Sequence, residues 1–174
     1  MNRFLYIVLL ALTACTQAQP PTVAPQVIKI FTSLSTRQWM DEVNLCADKN
    51  QLSIIQENDP AQADIRLGMG DPPSLQGPLF QIGQEDILVV TSAGNPAKSL
   101  SREEVQHFFN TNDIKDPQIW AFSNAEDIQT IFNREILSGG TVTSLARLAV
   151  SPDKMSAGLV QNPQALGILP DRKS

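Results

Sequence analysis

The stretch VIKIFTSLSTRQWMDEVNLCADKNQLSIIQEN, residues 27–58, decides the fold class that the sequence predicts. It begins with a run of apolar and β-branched residues at 27–33 and ends with a second such run at 51–58; both are typical of strands. The residues between them carry apolar side chains at helical spacing. Two strands joined by one helix form a βαβ unit, in which the strands lie parallel. The sequence therefore predicts an α/β domain built on a parallel sheet.

The helix of this unit has a recognisable beginning. Ser35 is followed three residues later by Gln38, which is the pattern of a capping box. Trp39, Val43 and Cys46 then share one helical face. We therefore expect Ser35 to cap the helix and Cys46 to be a buried core thiol rather than a reactive one.

The remainder of the chain continues the alternation of strands and helices. ADIRLGM (63–69) predicts a third strand, and residues 79–92 predict one or two strands that divide near Gly83. Ser101 and Glu104 form a second capping box. Further helices are predicted at 124–137, at 141–150 and from 152 onwards, and further strands at 118–123 and 165–170. Such alternation favours an α/β fold with flanking helices.

The first residues, MNRFLYIVLLALTA (1–14), have the pattern of a secretory signal. A basic start, a short apolar core and small residues at the end are its usual parts, and the apolar core is too short to span a membrane. Residues 12–15, LTAC, resemble a bacterial lipobox. This resemblance implies cleavage before Cys15 and acylation of its thiol, which would hold the protein on a membrane. The alternative is an ordinary signal peptide that is cut nearby.

Residues 15–26, CTQAQPPTVAPQ, are polar and rich in proline, and they predict an extended tether between the lipid and the fold. The signal peptide and the lipidated tether place the folded domain outside the cytoplasm. We therefore expect a protein that is lipid-anchored to a bacterial membrane and that faces the cell surface or the periplasm.

The composition excludes several classes of function. The chain has 13 Lys and Arg against 18 Asp and Glu, a net charge of −5, and it contains no basic run that would favour nucleic acid. If Cys15 is acylated, Cys46 has no partner, so neither a disulfide nor a cysteine metal site is predicted. His107 is the single histidine, and no nucleophile–base pair emerges around it. The sequence predicts a protein that is not an enzyme and that needs no cofactor or metal.

Three stretches resemble the phosphate-type solute-binding proteins of ABC transporters. They are ADIRLG (63–68), EDILVVTSAGNPAKSLSREEVQHFF (85–109) and VQNPQALGILP (160–170), and they occur in the order of that family. The resemblance implies a shortened type II periplasmic-binding-protein-like fold, with two lobes of mixed, mainly parallel sheet and flanking helices. It further implies a domain at 27–174, with one lobe at about 27–90 and the other at about 91–170.

The residues that carry the resemblance in the last two stretches are an Asn-Pro pair, a Leu-Ser helix start with two acids, an aromatic pair and a late apolar strand: Asn95, Pro96, Leu100, Ser101, Glu103, Glu104, Phe108, Phe109, Asn162, Pro163, Ala165, Leu166 and Gly167. In that family the ligand lies in the cleft between the lobes. General chemistry agrees, because ligands bind beyond the carboxyl ends of strands in open α/β sheets and oxyanions bind at helix N-termini.

The predicted ligand-binding residues are donors and charges near such strand ends and helix starts: Thr32, Ser33, Ser35, Thr36, Arg37, Asp64, Ser123 and Asn124. The alternative is that Ser35 is only a cap, that the other hydroxyls belong to a loop, and that Asp64 pairs with Arg66 or solvent. Glu126 and Asp127 follow in the first turn of a helix, where they suit its dipole but would repel phosphate.

Two functions from different classes follow. The first is a solute-binding lipoprotein that captures a small polar solute, with oxyanions such as phosphate among the candidates, for ABC-type import or sensing. Its expected partners are that solute, an ABC permease or sensor, and the membrane. The second is a reduced binding-protein fold that acts as an accessory or protein-interaction domain without a solute.

Overall fold

The strand–helix–strand unit predicted from residues 27–58 forms the first sheet. Strand β1 (Gln26–Thr32) leads through a single 3₁₀ turn (Arg37–Trp39) into helix α1 (Met40–Lys49), and strand β2 (Leu52–Glu57) follows. β1 and β2 are parallel. Strand β3 (Ile65–Leu67) joins the other edge of β1, also in parallel, so the order is β2-β1-β3. The predicted parallel sheet is confirmed.

The structure is a computed structural model that describes residues 26–72, 77–111, 113 and 117–171. The predicted signal peptide and Cys15 lie outside these residues, as does the predicted tether except for its last residue. That residue, Gln26, is part of β1. Within the described residues, no helix combines the length and the apolar character needed to cross a membrane.

In the described part of the second half of the chain, short strands alternate with three helices. In chain order they are β4 (Ile87–Thr91), α2 (Arg102–Asn110), β5 (Trp120–Ala121), α3 (Asp127–Glu135), β6 (Arg147–Leu148), α4 (Pro152–Gln161) and β7 (Leu166–Pro170). β4 pairs with β7 in antiparallel fashion, and β5 pairs with β6 in parallel. A bridge between Ile119 and Leu166 joins the two pairs. The α/β class with flanking helices is therefore confirmed.

Helix α2 begins as its sequence predicts. The Ser101 hydroxyl accepts a hydrogen bond from the Glu104 amide, and the Glu104 carboxylate accepts one from the Ser101 amide. This capping box satisfies two N–H groups that the first turn would leave unpaired. Val105 and Phe109 then lie on the buried face of the helix.

The main core lies in the second half of the chain. Phe109 of α2 and Phe132 of α3 are fully buried, with their ring centroids 4.9 Å apart. Met155 of α4 and Ile168 of β7 complete the centre of this cluster. Leu34 and Met69, which follow β1 and β3, pack against it from the first half. The segments after the strands of the first sheet therefore contact the second half directly.

Two predictions about α1 are wrong. The helix begins at Met40, and Ser35 does not cap it, because the Ser35 hydroxyl donates to the carboxylate of Asp127 instead. The buried face of α1 also differs from the predicted one. Ala47 is the buried residue of α1, and Cys46 is exposed rather than part of the core.

The helix predicted at 141–150 is also absent. This segment forms a turn and then β6, whose backbone bonds to β5. Arg147 N donates to Ile119 O, and Ala149 N donates to Ala121 O, both at 2.8 Å. Pairing with a neighbouring strand therefore replaces the local helical pattern. Between residues 79 and 92 only β4 is a strand.

Candidate functional site

Three of the predicted ligand-binding residues form a cluster of hydroxyl groups at the carboxyl end of β1. Ser33 Oγ lies 2.9 Å from Ser35 Oγ and 3.0 Å from Thr36 Oγ1. Thr36 Oγ1 donates to the carbonyl of Leu67 at the end of β3, at 2.9 Å. The Ser33 amide donates to the same carbonyl at 3.0 Å. The cluster therefore ties the ends of β1 and β3 together.

Thr32, which precedes Ser33 and ends β1, bonds to β2. Its hydroxyl accepts a hydrogen bond from Gln56 Nε2 at 3.1 Å. Thr32 and Ser35 are 4% and 2% exposed, and Thr36 is also buried. Buried hydroxyls need partners to offset their desolvation, and here the protein itself supplies them.

The cluster also reaches across to helix α3. Ser35 Oγ donates to Asp127 Oδ1 at 2.6 Å, over 92 positions of the sequence. The amide of Met69, two residues after β3, donates to Asp127 Oδ2 at 2.6 Å. Asp127 therefore joins the loops after β1 and β3 to the first turn of α3.

A cavity of about 230 Å³ opens beside this contact. Three of the predicted residues line it, Thr32, Ser33 and Arg37. It lies at the carboxyl ends of β1 and β2, where ligands bind in open α/β sheets. It is smaller than the roughly 300 Å³ at which pockets for drug-sized molecules begin. The cavity therefore has room only for a solute that is smaller than a drug-sized molecule.

The cavity combines both signs of charge. Arg37, which carries a guanidinium group, lines the cavity together with Glu57 and Glu126, which carry carboxylates. Glu57 Oε1 is held in place by the amides of Asn58 and Asp59, at 2.9 and 3.3 Å. The formal balance of these three side chains is one negative charge. Among the described residues, no group of three or more His, Cys, Asp or Glu side chains could hold a metal ion.

The other predicted residues lie away from this cavity. Asp64 precedes β3, where its carboxylate accepts from the Lys29 amide at 2.9 Å and its own amide donates to the Lys29 carbonyl at 2.9 Å. Ser123 Oγ accepts from the Ala125 amide at 3.3 Å. Asn124 Oδ1 accepts from Asn133 Nδ2 at 3.2 Å. These three side chains stabilise a strand edge and the start of a helix.

Several residues of the site were not predicted from the sequence. Gln56 and Glu57 end β2, and β2 is the direct neighbour of β1, so the rule for parallel strand ends could have found them. The sequence pattern connects Asp127 with the helix dipole and with repulsion of phosphate, but not with Ser35. Its contact with Ser35 depends on how the two halves of the chain pack, which the local sequence does not encode.

A second cavity, of about 420 Å³, lies elsewhere. Its walls include Phe108 and Thr111 at the end of α2, Gln118 before β5, and Asn162 after α4. This position corresponds to the amino end of β5. Despite its larger volume, the cavity lacks the strand carboxyl ends at which ligands of α/β sheets bind. We therefore take the smaller cavity as the candidate site.

Solved structures with the same architecture include proteins of more than one type. A phosphate ABC transporter substrate-binding protein from Clostridium perfringens, with bound phosphate, is 13% identical with a TM-score of 0.63; the match covers 86% of this chain and 72% of that one. An ABC-type phosphate transport receptor from Vibrio cholerae is 16% identical with a TM-score of 0.55, covering 86% and 73%. The OxyR2 regulatory domain from Vibrio vulnificus is 11% identical with a TM-score of 0.58, covering 84% and 73%.

The likeness shows the fold. Sequence identities of 11–16% support a shared periplasmic-binding-protein-like architecture and nothing about function. Among these structures, a regulatory domain has the same architecture as the transport receptors. No protein-family model matches the chain, and no curated protein does. The choice of function therefore depends on the site.

Proposed function

We propose that this protein is a lipid-anchored, extracytoplasmic solute-binding protein that captures a small polar solute for ABC-type import or sensing. The observation that carries the proposal is the small cavity at the carboxyl ends of β1 and β2, lined by Thr32, Ser33 and Arg37. The periplasmic-binding-protein-like fold supports it, because substrate-binding proteins share that fold. An ABC permease or a sensor protein is the proposed partner.

The charges of the cavity favour a zwitterionic solute. Arg37 can pair with an anionic group of the solute, while Glu57 and Glu126 attract a cationic group. A free phosphate would meet two carboxylates for one guanidinium, which is unfavourable in a partly enclosed site. Amino acids are small solutes that carry both kinds of charge, so they are the solute class that we propose.

A thermal-shift panel of amino acids, phosphate, sulfate and molybdate tests this proposal. A bound solute stabilises the folded protein by RT ln(1 + [L]/Kd), about 2.7 kcal/mol at a hundredfold excess over Kd. We expect an amino acid to raise the melting temperature at millimolar concentration. If every member of the panel leaves the melting temperature unchanged, the proposal of a small-solute receptor fails.

Arg37→Gln locates the solute within the protein. Arg37 is exposed and lines the cavity, so its replacement removes the cationic group without disturbing the core. We expect the thermal shift to be lost. Lys154→Gln, which removes one positive charge from the exposed side of α4, is the matched control and should keep the shift. A shift that survives Arg37→Gln would place the solute elsewhere.

The lipid anchor is tested separately. Mass spectrometry of protein from native membranes should find an acylated Cys15 as the first residue of the mature chain. Cys15→Ala should release the protein from the membrane fraction. An unmodified amino terminus in native membranes would remove the anchor from the proposal.

One observation favours the second candidate, a binding-protein fold that acts as an accessory or protein-interaction domain. Ser35 and Thr36, two of the predicted donors, already bond to Asp127 and Leu67 within the protein. Because these donors already have hydrogen-bond partners within the protein, they do not need a solute to satisfy them. The thermal-shift panel separates the two functions, because only a receptor gains stability from a free solute.

A further inference from the structure

The contact around Asp127 has the chemistry of a bound anion. Asp127 Oδ1 accepts from the Ser35 hydroxyl at 2.6 Å and from the Ile128 amide at 2.7 Å, and Oδ2 accepts from the Met69 amide at 2.6 Å. A carboxylate can only accept here, so all three groups are donors. They come from three separate segments, the loops after β1 and β3 and the first turn of α3.

These donors are arranged around the carboxylate as they would be around a free oxyanion. Backbone amides at a helix start, together with a hydroxyl group, are the usual ligands of phosphate or sulfate in proteins. The Ser35 side chain is 2% exposed and is fixed by Ser33. The bonds are also short, as is expected of charge-assisted hydrogen bonds.

The neighbouring backbone approaches the carboxylate closely. A Cβ atom added to Gly68 would lie 3.5 Å from Asp127 Oδ2, so even a methyl group there would touch the carboxylate. Leu34 and Met69, on either side of this contact, pack against the core of the second half. The carboxylate is therefore part of the joint between the two halves of the molecule.

We propose that Asp127 is a built-in anionic ligand: its carboxylate occupies an oxyanion site formed by Ser35, Met69 and the start of α3. Its hydrogen bonds hold the two halves of the molecule together, and we call this set of bonds the latch. In the native protein this site is closed to free oxyanions, and replacing Asp127 by a small neutral residue opens it to them. The inference goes beyond the proposed solute and does not depend on it, because the solute would lie in the adjacent cavity.

Asp127→Ala tests the latch with inorganic phosphate and sulfate as probes. We expect neither anion to shift the melting temperature of the native protein at millimolar concentration, and at least one to shift that of the variant. Asp153→Ala removes an exposed carboxylate from the first turn of α4 and is the matched control. It should behave like the native protein. An equal shift in the native protein, or none in the folded Asp127→Ala variant, would overturn the proposal.

A second measurement holds even if Asp127→Ala does not fold. Hydrogen exchange reports the Met69 amide directly, because in this structure that amide donates to Asp127. In the native protein it should exchange at least about tenfold more slowly than an unstructured peptide, and added phosphate should not change its rate. Exchange at the unstructured rate, or a response to phosphate, would overturn the latch. The amino-acid arm of the thermal-shift panel tests the solute independently, so the two proposals can fail separately.

Discussion

Ser35 combines burial with a bond to a charged group, which distinguishes it from a surface hydroxyl. Its hydroxyl is 2% exposed and donates to the Asp127 carboxylate. Replacing it with alanine leaves that carboxylate without one of its donors. Because hydrogen bonds to charged groups contribute about 1.5–3 kcal/mol, we expect Ser35→Ala to lower the free energy of unfolding by about that amount. Urea denaturation measures the loss.

Ser123→Ala is the control for that substitution. Ser123 is exposed and its hydroxyl accepts from the nearby Ala125 amide at 3.3 Å, so its loss should cost less than about 1 kcal/mol. Equal losses for the two variants would mean that the bond from Ser35 to Asp127 contributes no more to the free energy of unfolding than an exposed hydrogen bond does.

Two serines with similar sequence patterns show how far a local motif can be trusted. Ser101 with Glu104 and Ser35 with Gln38 both match a capping box, yet only the first forms one. Both partners of the first box are local. The Ser35 hydroxyl instead meets a stronger acceptor, the carboxylate of Asp127, which lies far along the sequence. A local pattern predicts a cap only where no tertiary partner competes for it.

At the scale of elements, the packing of helix α4 against β5 depends on a glycine, Gly158. A Cβ atom added to Gly158 would lie 2.6 Å from Cε2 of the Trp120 ring on β5. In an ordinary helix, Gly→Ala stabilises by about 1 kcal/mol, whereas overpacking costs about 1–3 kcal/mol. We expect the overpacking to dominate, so Gly158→Ala should lower the melting temperature. Ser156→Ala, on the exposed side of α4, should not lower it. A stabilised Gly158→Ala variant would show that the ring moves aside freely.

The capping box of α2 gives a graded prediction. Ser101→Ala removes the hydroxyl that accepts from the Glu104 amide, and such losses cost about 1 kcal/mol. Ser101→Gly should cost only a few tenths of a kcal/mol, because glycine is itself tolerated at this position. Denaturation midpoints of the two variants and the native protein test this order. The reverse order would mean that the cap does not limit the stability of α2.

Elements whose own residues carry a strand pattern, a helix pattern or a cap were predicted. An element that forms only because a neighbouring strand supplies hydrogen-bond partners was not. β1, β2 and α2 carry the apolar pattern or cap that specifies them, and each is present. The segment at 141–150 has a helical pattern but forms β6, because the backbone of β5 offers it hydrogen-bond partners. Such a partner becomes visible only when the strands are placed in space.

At the scale of the whole molecule, the same distinction separates the parts of the candidate site. Thr32 and Ser33 were predicted because they lie at the carboxyl end of a strand that the sequence marks clearly. The position of Glu57 depends on the pairing of β2 with β1, and Glu126 reaches the cavity only through the packing of the two halves of the chain. The sequence therefore indicates one wall of the cavity, whereas the opposite wall and its charge balance are consequences of the tertiary structure.

The distribution of buried residues predicts how stability is divided between the halves. The apolar core cluster lies between Val105 and Ile168, whereas Ile30 and Ala47 are the only buried apolar residues among the described positions up to 72. Regions with few buried apolar contacts open at lower free energy than the core. We therefore expect the amides of β1 and β2 to exchange hydrogen at lower free energies than those of α3 and β7. Native-state hydrogen exchange measures both sets in one experiment.

The Asp127 contact should determine how large this difference is. Because the carboxylate joins the loops after β1 and β3 to α3, its loss removes bonds that hold the first sheet on the core. Asp127→Asn should therefore speed exchange in β1 and β2 while leaving that in β7 nearly unchanged. Asp153→Asn, which changes an exposed carboxylate at another helix start, should alter neither. If β1 and β7 exchange through one common opening in every variant, the molecule unfolds as a single unit and the first sheet has no separate stability for Asp127 to control.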